Sequence, residues 1–341
     1  EYLGIGSSKL SKRCAKAVTW LSVFMPFEHV REYAREVMGV EISETCLKET
    51  THRIGATLHE EMERKGRRPE TVSRPCETSE VVYIQADGSM VPIRGEKERE
   101  FKEVKLGLVY TDGDIVQKKT KKGECTIDIH HKRFVSSLGE GVEPFKKMLK
   151  AAAIEKGYYG AHKVVLLTDG AVWISKMRDE YFPKALHILD WYHALEHLWQ
   201  TAKSIFGETN VSACEQWVSP FKELLWNGKI EEVLMRLESE AFTRKKHQTV
   251  LFQLRGYYKS NRDQMRYDEY RKNGLYIGSG AIESAHKYIV AGRLKQAGMR
   301  WSISHANSMI WLRSKYFENT WQDFWNCMNL RDYLKPRRKA A

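Results

Sequence analysis

The chain has 341 residues, of which 42% are hydrophobic and 11% aromatic, so it can bury a substantial core and is not intrinsically disordered. No apolar run approaches the roughly 20 residues that a membrane span needs, so we expect no membrane-spanning segment. Lysine and arginine exceed aspartate and glutamate by 12 charges, which favours a polyanionic partner. The six cysteines lie far apart and form no Cys-x-x-Cys pair, which is typical of reduced thiols and predicts a cytoplasmic protein.

The first 65 residues are predicted to form a helical module. Apolar residues recur at helical spacing between Phe27 and Met38, and Ser43 is expected to cap the helix that follows. Two helices joined by a short turn that contains Gly39 resemble a helix-turn-helix, and an ordinary helical hairpin that packs or dimerises fits equally well. The polar segment 66–79, which is interrupted by prolines, is predicted to be a linker.

An α/β core is predicted for residues 80–193. Asp112 and Gly113 are expected to form a hairpin turn. The order of the predicted elements favours a mixed sheet covered by helices: three strands, then a helix, a strand, a helix and a last strand. The predicted strands are Val81 to Ala86, Phe101 to Thr111, Cys125 to Phe134, Val164 to Thr168 and Ala185 to Leu189, and the predicted helices are Val142 to Lys156 and Val172 to Tyr181.

The remainder of the chain is predicted to be helical. Residues 194–275 have helical periodicity and would form an insertion, which ends where the glycine-rich segment 274–280 interrupts the pattern. Residues 276–330 would supply the final helices of the core, and residues 331–341 a basic tail. The last 58 residues contain 11 basic and 3 acidic side chains, so the polyanion is expected to contact this part of the chain.

Three acidic residues stand where a metal site could use them. Asp87 and Asp169 follow the predicted strands in YIQADGS and VVLLTDG, and Glu283 begins a helix in GSGAIES. The carboxyl ends of neighbouring parallel strands meet at one crevice of an α/β sheet, and a helix against that sheet can add a third carboxylate. Mg²⁺ prefers hard oxygen ligands and retains waters, so a few carboxylates suffice to bind it.

Each of these acids also has a purely structural explanation. Asp-Gly is a strong turn signal, and Asp169 precedes a predicted helix that it could cap. Glu283 could pair with Lys287 at i, i+4 on a helix surface. The spacing of the three acids alone does not decide between these explanations and a metal site.

A resemblance favours the metal site. The segments TDGAVWI…FPKALHILDWYHALEHL and GSGAIESAHKYIVAGRLKQAGMRWS, together with ADGSMVPIRG…EVKLGLVY, resemble the ISKra-type insertion-sequence transposases, distant relatives of the Mutator-like group. The similarity covers residues from about 80 to about 325, and GSGAIES…RLKQAGMRWS is its most specific part.

The resemblance implies a ribonuclease-H-like fold in which an Asp-Asp-Glu triad binds two Mg²⁺ or Mn²⁺ ions. The triad would be Asp87, Asp169 and Glu283, with the helical insertion before the glutamate. Asp190-x-x-His193 matches a pair that follows the second aspartate in the Mutator-like group, which implies a supporting role at the site. A helix cap and a packed histidine explain these two residues equally well, and Asp190 could also replace Asp169 as metal ligand.

Three other functions remain open on the sequence. His193-x-x-Glu196-His197 matches the inverted zinc-peptidase signature, in which both histidines would bind zinc and Glu196 would activate water. A catalytically silent DNA-binding descendant of a transposase would share nearly every feature of the chain. A nuclease or resolvase would cleave DNA without joining it.

A DNA-contacting surface is predicted in the C-terminal part. Basic side chains with interleaved aromatic residues suit a surface that follows phosphates, although charge on a helix is usually just a solvated face. The expected partners are the element ends and the target DNA, both double-stranded, with the protein forming a homo-oligomer on DNA in the nucleoid. The predicted contacts are Lys287, Arg293, Lys295, Arg300, Trp301, Arg313 and Lys315, with Trp311 nearby.

Overall fold

A computed structural model describes residues 10–75, 78–95, 99–119 and 125–328. The chain divides into two compact units that alternate along the sequence. The first comprises Glu1–Val82, Ala86–His162 and Ile282–Ala341, and the second comprises Tyr83–Gln85 and Lys163–Ala281. The N-terminal helices therefore belong to the first unit.

The first half of the chain contains four helices and five strands among its described residues. They are α1 (Lys12–Phe24), α2 (Phe27–Glu36), α3 (Glu44–Arg67), β1 (Val81–Arg94), β2 (Arg99–Thr111), β3 (Ile115–Lys119), β4 (Cys125–Ile129), β5 (Arg133–Leu138) and α4 (Val142–Glu155).

The second half contains two further strands and ten helices within the described range. They are β6 (Lys163–Thr168), α5 (Val172–Tyr181), β7 (Leu186–Leu189), α6 (Trp191–Phe206), α7 (Val211–Trp226), α8 (Ile230–Ser239), α9 (Lys245–Asn261), α10 (Tyr267–Lys272), α11 (Gly280–Ala285), α12 (Gly292–Leu294), α13 (Ile303–Phe317) and α14 (Trp321–Cys327). A π-helical segment, His286–Ala291, connects α11 to α12.

Five strands form one mixed sheet with the order β5-β2-β1-β6-β7. β2 and β5 are antiparallel, with Val104 opposite Leu138, and β6 and β7 are parallel, with Val165 opposite Leu186. Val164–Leu167 are all buried, which explains the continuous apolar run that predicted this strand. The predicted mixed α/β architecture with flanking helices is confirmed.

Several boundaries differ from the prediction. β1 does not end at Ala86 but continues through Asp87 to Arg94, because Asp87 and Gly88 keep an extended backbone. The predicted strand from Cys125 to Phe134 is two strands, of which β4 pairs with β3 in a separate two-stranded sheet and β5 joins the main sheet. Asp112–Asp114 form a 3-10 turn, closed by the Asp114 carboxylate accepting a hydrogen bond from the Thr111 N–H.

Helix α3 is the central helix of the first unit and packs against α13 and α4. It begins where predicted, with the Ser43 hydroxyl accepting a hydrogen bond from Cys46 N. It passes so close to α13 that a Cβ at Gly55 would overlap the Ser308 carbonyl group, which requires glycine there. The helix continues to Arg67, two residues into the predicted linker.

Helix α2 buries a narrower face than its sequence pattern predicts. Val30 and Ala34 are buried, whereas Tyr33 and Val37 of the same predicted stripe are exposed. The apolar pattern of a short helix therefore overstates the area that this helix packs.

The second unit contains the helices predicted for residues 194–272. Helix α9 packs against α6, and the Tyr258 hydroxyl donates a hydrogen bond to the Ala194 carbonyl oxygen across this contact. Residues 273–279 separate α10 from α11, as the glycines there predict. None of the helices described is both long enough and apolar enough to span a bilayer.

Candidate active site

The three predicted carboxylates fall in different parts of the chain, Asp87 and Glu283 in the first unit and Asp169 in the second. The surroundings of each acid determine what it can do chemically.

Asp87 is a half-buried residue in the middle of β1. Its Oδ1 atom accepts a hydrogen bond from the N–H of Gly88 at 2.6 Å. Its Oδ2 atom lies 3.5 Å from Nε2 of His286. One oxygen of this carboxylate is therefore oriented by the backbone, and the other faces an imidazole group.

His286 is a functional candidate that the sequence prediction missed. Its Nδ1 atom lies 3.0 Å from the Ser89 hydroxyl oxygen, so the ring is held between two residues of β1. Burial lowers the pKa of His286 to about 4, against the opposing effect of the Asp87 backbone, so the ring is neutral at pH 7. The signal in the sequence was Glu283-x-x-His286, since residues three apart share a helix face.

Glu283 lies in the first turn of α11 and is exposed. The helix changes from α to π geometry three residues later, at His286. Single π-helical turns inside α-helices frequently occur at functional sites. The surface that carries Glu283 thus adjoins the histidine that contacts Asp87.

Asp169 follows the last residue of β6 and is partly exposed. Its Oδ1 atom accepts a hydrogen bond from Ala171 N at 2.9 Å, and Tyr257 donates its hydroxyl hydrogen to the Asp169 carbonyl oxygen at 2.9 Å. Ala171, not Asp169, is the cap residue of α5, so the helix-cap explanation of Asp169 is not supported.

The turn after Asp169 depends on Gly170. Its φ of +83° lies in the left-handed region, and a Cβ there would lie 2.9 Å from Cδ1 of Leu189 and 3.0 Å from Oδ1 of Asn261. The Asp-Gly signal therefore corresponds to a real turn, and that turn sets the position of the Asp169 carboxylate.

Asp190 is buried, with 1% of its surface exposed, and has a different role. Its Oδ1 atom accepts hydrogen bonds from Tyr192 N at 3.0 Å and Ser279 N at 3.1 Å, and its Oδ2 atom accepts one from the Ser279 hydroxyl group. It caps α6, as the structural explanation predicted. Asp190 therefore anchors the GSG segment, whereas the Asp169 carboxylate is partly exposed.

His193 and His197 lie on one face of α6, with their Nε2 atoms 3.3 Å apart. His197 also packs against the ring of Tyr257, and burial, followed by the nearby His193, lowers the pKa of His197. Glu196 Oε2 lies 3.4 Å from Nδ1 of His193. No third histidine, cysteine or carboxylate of the described residues completes a three-ligand set with this pair. A zinc-peptidase site needs three protein ligands, so this arrangement does not favour that function.

The predicted DNA-contacting residues divide into two groups. Lys287, Lys295 and Arg300 are exposed. Lys315 is partly exposed and pairs with Glu318, with 3.1 Å between Nζ and Oε2.

The other predicted contacts are structural. Arg293 and Arg313 are 1% and 4% exposed, and the two tryptophans, Trp301 and Trp311, are buried as well. Arg313 donates hydrogen bonds to the carbonyl oxygens of Val23, Tyr288 and Ile289, and Arg293 donates one to Ser22 O. The guanidinium groups of Arg293 and Arg313 are buried and donate to backbone carbonyl oxygens, so they are not available to contact DNA phosphates. The predicted basic tail 331–341 lies outside the described residues.

Fold and side chains together define a mixed α/β protein with hydrogen-bonded carboxylates in β1 and after β6 and an exposed carboxylate in the first turn of α11. Residues 12–323 match the model of the uncharacterised protein family UPF0236, and the chain belongs to this family. No curated protein matches the chain.

Proposed function

We propose that this chain is a DNA transposase of the Asp-Asp-Glu class, with a ribonuclease-H-like core that cleaves DNA strands and transfers them to a target. The observation that carries the proposal is topological. β1 and β6 are neighbours in the sheet order, and Tyr83–Gln85 of β1 belong to the same unit as β6. Asp87 lies in β1, and Asp169 directly follows β6. Acids in, or directly after, neighbouring strands of an α/β sheet can contribute to one carboxylate metal site.

The resemblance to ISKra-type transposases supports the same proposal. Its most specific segment, GSGAIES…RLKQAGMRWS, contains Glu283 and continues through the π-helical turn and the exposed Lys295 and Arg300. The long helical stretch α6–α10 before Glu283 is consistent with the insertion that the resemblance implies.

The residues fit Mg²⁺ or Mn²⁺, because Asp87, Asp169 and Glu283 offer hard oxygen ligands. Two such ions, when bound, activate the attacking oxygen and stabilise the leaving oxygen of an in-line phosphoryl transfer. Asp87, Asp169 and Glu283 would bind the ions. Neutral His286 would hold the Asp87 carboxylate, and Asp190 would fix the segment that leads to Glu283 through Ser279.

The proposed reaction has two steps. Water first cleaves a phosphodiester at each element end and releases a 3′-hydroxyl group. That hydroxyl group then attacks a phosphodiester of the target, which joins the element end to the target and releases a new 3′-hydroxyl group. Lys287, Lys295 and Arg300 would contact the phosphates of double-stranded DNA, and a homo-oligomer in the nucleoid would hold two ends together.

The test is a cleavage and joining assay with duplexes that carry the DNA flanking the coding sequence. Wild-type protein is expected to nick and join strands with Mg²⁺ or Mn²⁺ but not with EDTA, and Asp169→Asn should reduce both steps by at least about 10³-fold. The matched control is Asp179→Asn, at an exposed carboxylate in α5 that pairs with Arg178, which should retain activity.

Three results would contradict the proposal. DNA binding without cleavage would indicate a silent DNA-binding descendant. Cleavage without joining would indicate a nuclease or resolvase. Equal activity of wild type and Asp169→Asn would place the reaction elsewhere in the chain.

A further inference from the structure

A second group of potential metal ligands lies within the first unit. His59 and Glu63 belong to α3, and Glu140 lies between β5 and α4. One donor atom from each of these three side chains lies within 4.8 Å of the others. Among the residues described, it is the one set of three or more histidine, cysteine or carboxylate side chains that meets this condition.

The separation of the His59 and Glu140 donor atoms fits one shared ion. Two atoms bound to the same ion through bonds of about 2.1 Å lie about 3.0 Å apart at a right angle and about 3.4 Å apart at the tetrahedral angle. Nε2 of His59 and Oε2 of Glu140 are 3.2 Å apart. His59 and Glu63 are four positions apart on α3, so they present their donor atoms from one helix face.

The His59 nitrogen has an unusual environment. Its Nε2 atom is buried and makes no hydrogen bond with any described residue, although it lies within ion-pair distance of Glu140. A buried ring nitrogen of this kind normally has a hydrogen-bond partner. A bound cation between the imidazole and the carboxylate would satisfy both groups.

The ligands are held in place by their neighbours. Glu140 Oε1 accepts a hydrogen bond from Asn307 Nδ2 at 3.3 Å, and Oε2 accepts one from the Ser137 hydroxyl group at 3.3 Å. The His59 ring stacks on Trp311 with 5.6 Å between the centroids. Such outer contacts orient metal ligands and reduce the loss of side-chain freedom on binding.

The backbone around Glu140 is also fixed. Gly139 and Gly141 have φ values of +81° and +80°, so the acid lies between two left-handed glycines. A Cβ at Gly139 would lie only 3.1 Å from Cγ2 of Ile303. Glycine at this position therefore allows the turn to lie close to the start of α13. The turn therefore presents the carboxylate at a defined position.

We propose that His59, Glu63 and Glu140 bind one divalent transition-metal ion, Zn²⁺ or an ion of similar preference, which ties helix α3 to the turn between β5 and α4. The imidazole nitrogen selects a transition metal over Mg²⁺ or Ca²⁺, which prefer oxygen ligands only. The ion has a structural role, because its ligands connect elements that are distant in sequence, and its binding stabilises the folded state. None of the three ligands belongs to the proposed catalytic set.

The experiment is a calorimetric titration of EDTA-treated, full-length protein with ZnCl₂ at pH 7, together with thermal unfolding followed by circular dichroism. We expect one equivalent of Zn²⁺ at this site and an increase in the melting temperature. Glu63→Gln and Glu140→Gln should each weaken this binding by more than about tenfold. The matched control is Glu61→Gln, at a residue of the same helix that pairs with Lys65, which should bind Zn²⁺ as the wild type does.

A double variant distinguishes Zn²⁺ bound at His59, Glu63 and Glu140 from Zn²⁺ bound at other potential ligands of the chain. Asp169→Asn combined with His197→Asn removes a proposed catalytic ligand and one member of the α6 histidine pair. The Zn²⁺ equivalent assigned to His59 should persist in this background and disappear when Glu140→Gln is added. Failure of the proposed catalysis leaves this result unchanged.

Two results would overturn the inference. One is the absence of any Zn²⁺ equivalent that depends on Glu63 or Glu140 in folded protein. The other is equal Zn²⁺ affinity and equal thermal stabilisation in the wild type, Glu63→Gln and Glu140→Gln, which would leave an ordinary His59–Glu140 ion pair.

Discussion

The carboxylate of Asp190 accepts a hydrogen bond from the backbone N–H of Ser279, 3.1 Å away, across 89 positions of sequence. The same carboxylate caps helix α6 through Tyr192 N. It therefore fixes the start of the helix that carries His193 and the segment that precedes Glu283.

Replacement of Asp190 should destabilise the fold, whereas replacement of Asp169 should not. Asp190→Ala leaves the N–H groups of Tyr192 and Ser279 without their acceptor, and we expect it to lower the free energy of unfolding by about 1–3 kcal/mol. Asp169→Ala should change it by less than about 0.5 kcal/mol, because Asp169 is partly exposed. Urea unfolding of both variants measures this difference. Unchanged stability of Asp190→Ala, together with loss of Mn²⁺ binding, would instead make Asp190 a metal ligand.

The exposed and buried basic residues of the C-terminal part should respond differently to mutation. Replacing Lys287, Lys295 and Arg300 by alanine should weaken DNA binding and reduce the slope of log affinity against log salt by up to about three units, since each phosphate contact contributes about 0.9. The melting temperature should remain near that of the wild type. Fluorescence anisotropy at several salt concentrations is the measurement.

Arg313→Met provides the comparison for that experiment. It removes hydrogen-bond donors from the buried carbonyl groups of Val23, Tyr288 and Ile289, so we expect it to destabilise the protein by about 2 kcal/mol or more. Protein that remains folded should bind DNA with the wild-type salt slope. A salt slope below that of the wild type in Arg313→Met would instead indicate that Arg313 contacts DNA phosphates.

Glu318 should contribute stability that is lost in acid. Burial raises the pKa of this carboxyl group, but Lys315, Arg133 and the N–H of Phe134 together hold it below its usual range. Because the folded pKa is the lower one, this stability is present above the pKa of the unfolded chain, about 4.3, and is lost as pH falls through the folded pKa.

The test is Glu318→Gln, which leaves Arg133 and Lys315 without their shared carboxylate, 3.1 Å from each. We expect a loss of about 3 kcal/mol near pH 7, since removing one partner of a buried ion pair leaves the others uncompensated. Urea unfolding between pH 3 and pH 7 should show a smaller difference between the two proteins at the acidic end. A difference that does not change with pH would contradict the assignment.

His52 should make the first unit less stable below neutral pH. Its ring is buried and stacks on His305 with 3.8 Å between the centroids. Burial first, and then His305 and Arg293, lower the pKa of His52 to about 3. The unfolded chain takes up a proton below about pH 6.5 that the folded protein does not, so stability falls with pH between about 6.5 and 3.

The expected loss from this histidine is about 2 kcal/mol at pH 5, relative to pH values above 7. His52→Gln cannot take up that proton, so its stability should decline less steeply over this range. The stabilities of both proteins are compared by urea unfolding from pH 7.5 to 4.5. Parallel curves would show that His52 is not the group responsible.

Elements that are determined by neighbouring residues in the sequence were predicted correctly. The apolar run from Val164 to Leu167 and the Ser43 cap are decided by neighbouring residues, and both are present in the structure. The predicted end of β1 at Ala86 was wrong, because the strand continues through Asp87 and Gly88 to Arg94. An Asp-Gly pair indicates a turn only where tertiary contacts do not extend the strand. At Asp169 the same dipeptide does form a turn.

The candidate site was predictable only in part, since burial depends on contacts distant in sequence. Arg293 and Arg300 stand seven positions apart in the same basic segment, and no local pattern shows that only Arg293 is inserted beneath α1 to reach Ser22. His286 could have been found from its spacing to Glu283, but its contact with Asp87 bridges 199 positions.

The alternation of the two units along the chain has a consequence for biosynthesis. Helix α3 leaves the ribosome early, whereas its partner α13 begins only at Ile303. The surface of α3 around Gly55, which packs against the Ser308 backbone, therefore stays exposed until residues 163–281 of the second unit have been translated. A chain terminated before α13 would leave the apolar face of α3 exposed, and exposed apolar surface of this kind makes truncated translation products targets of chaperones and proteases.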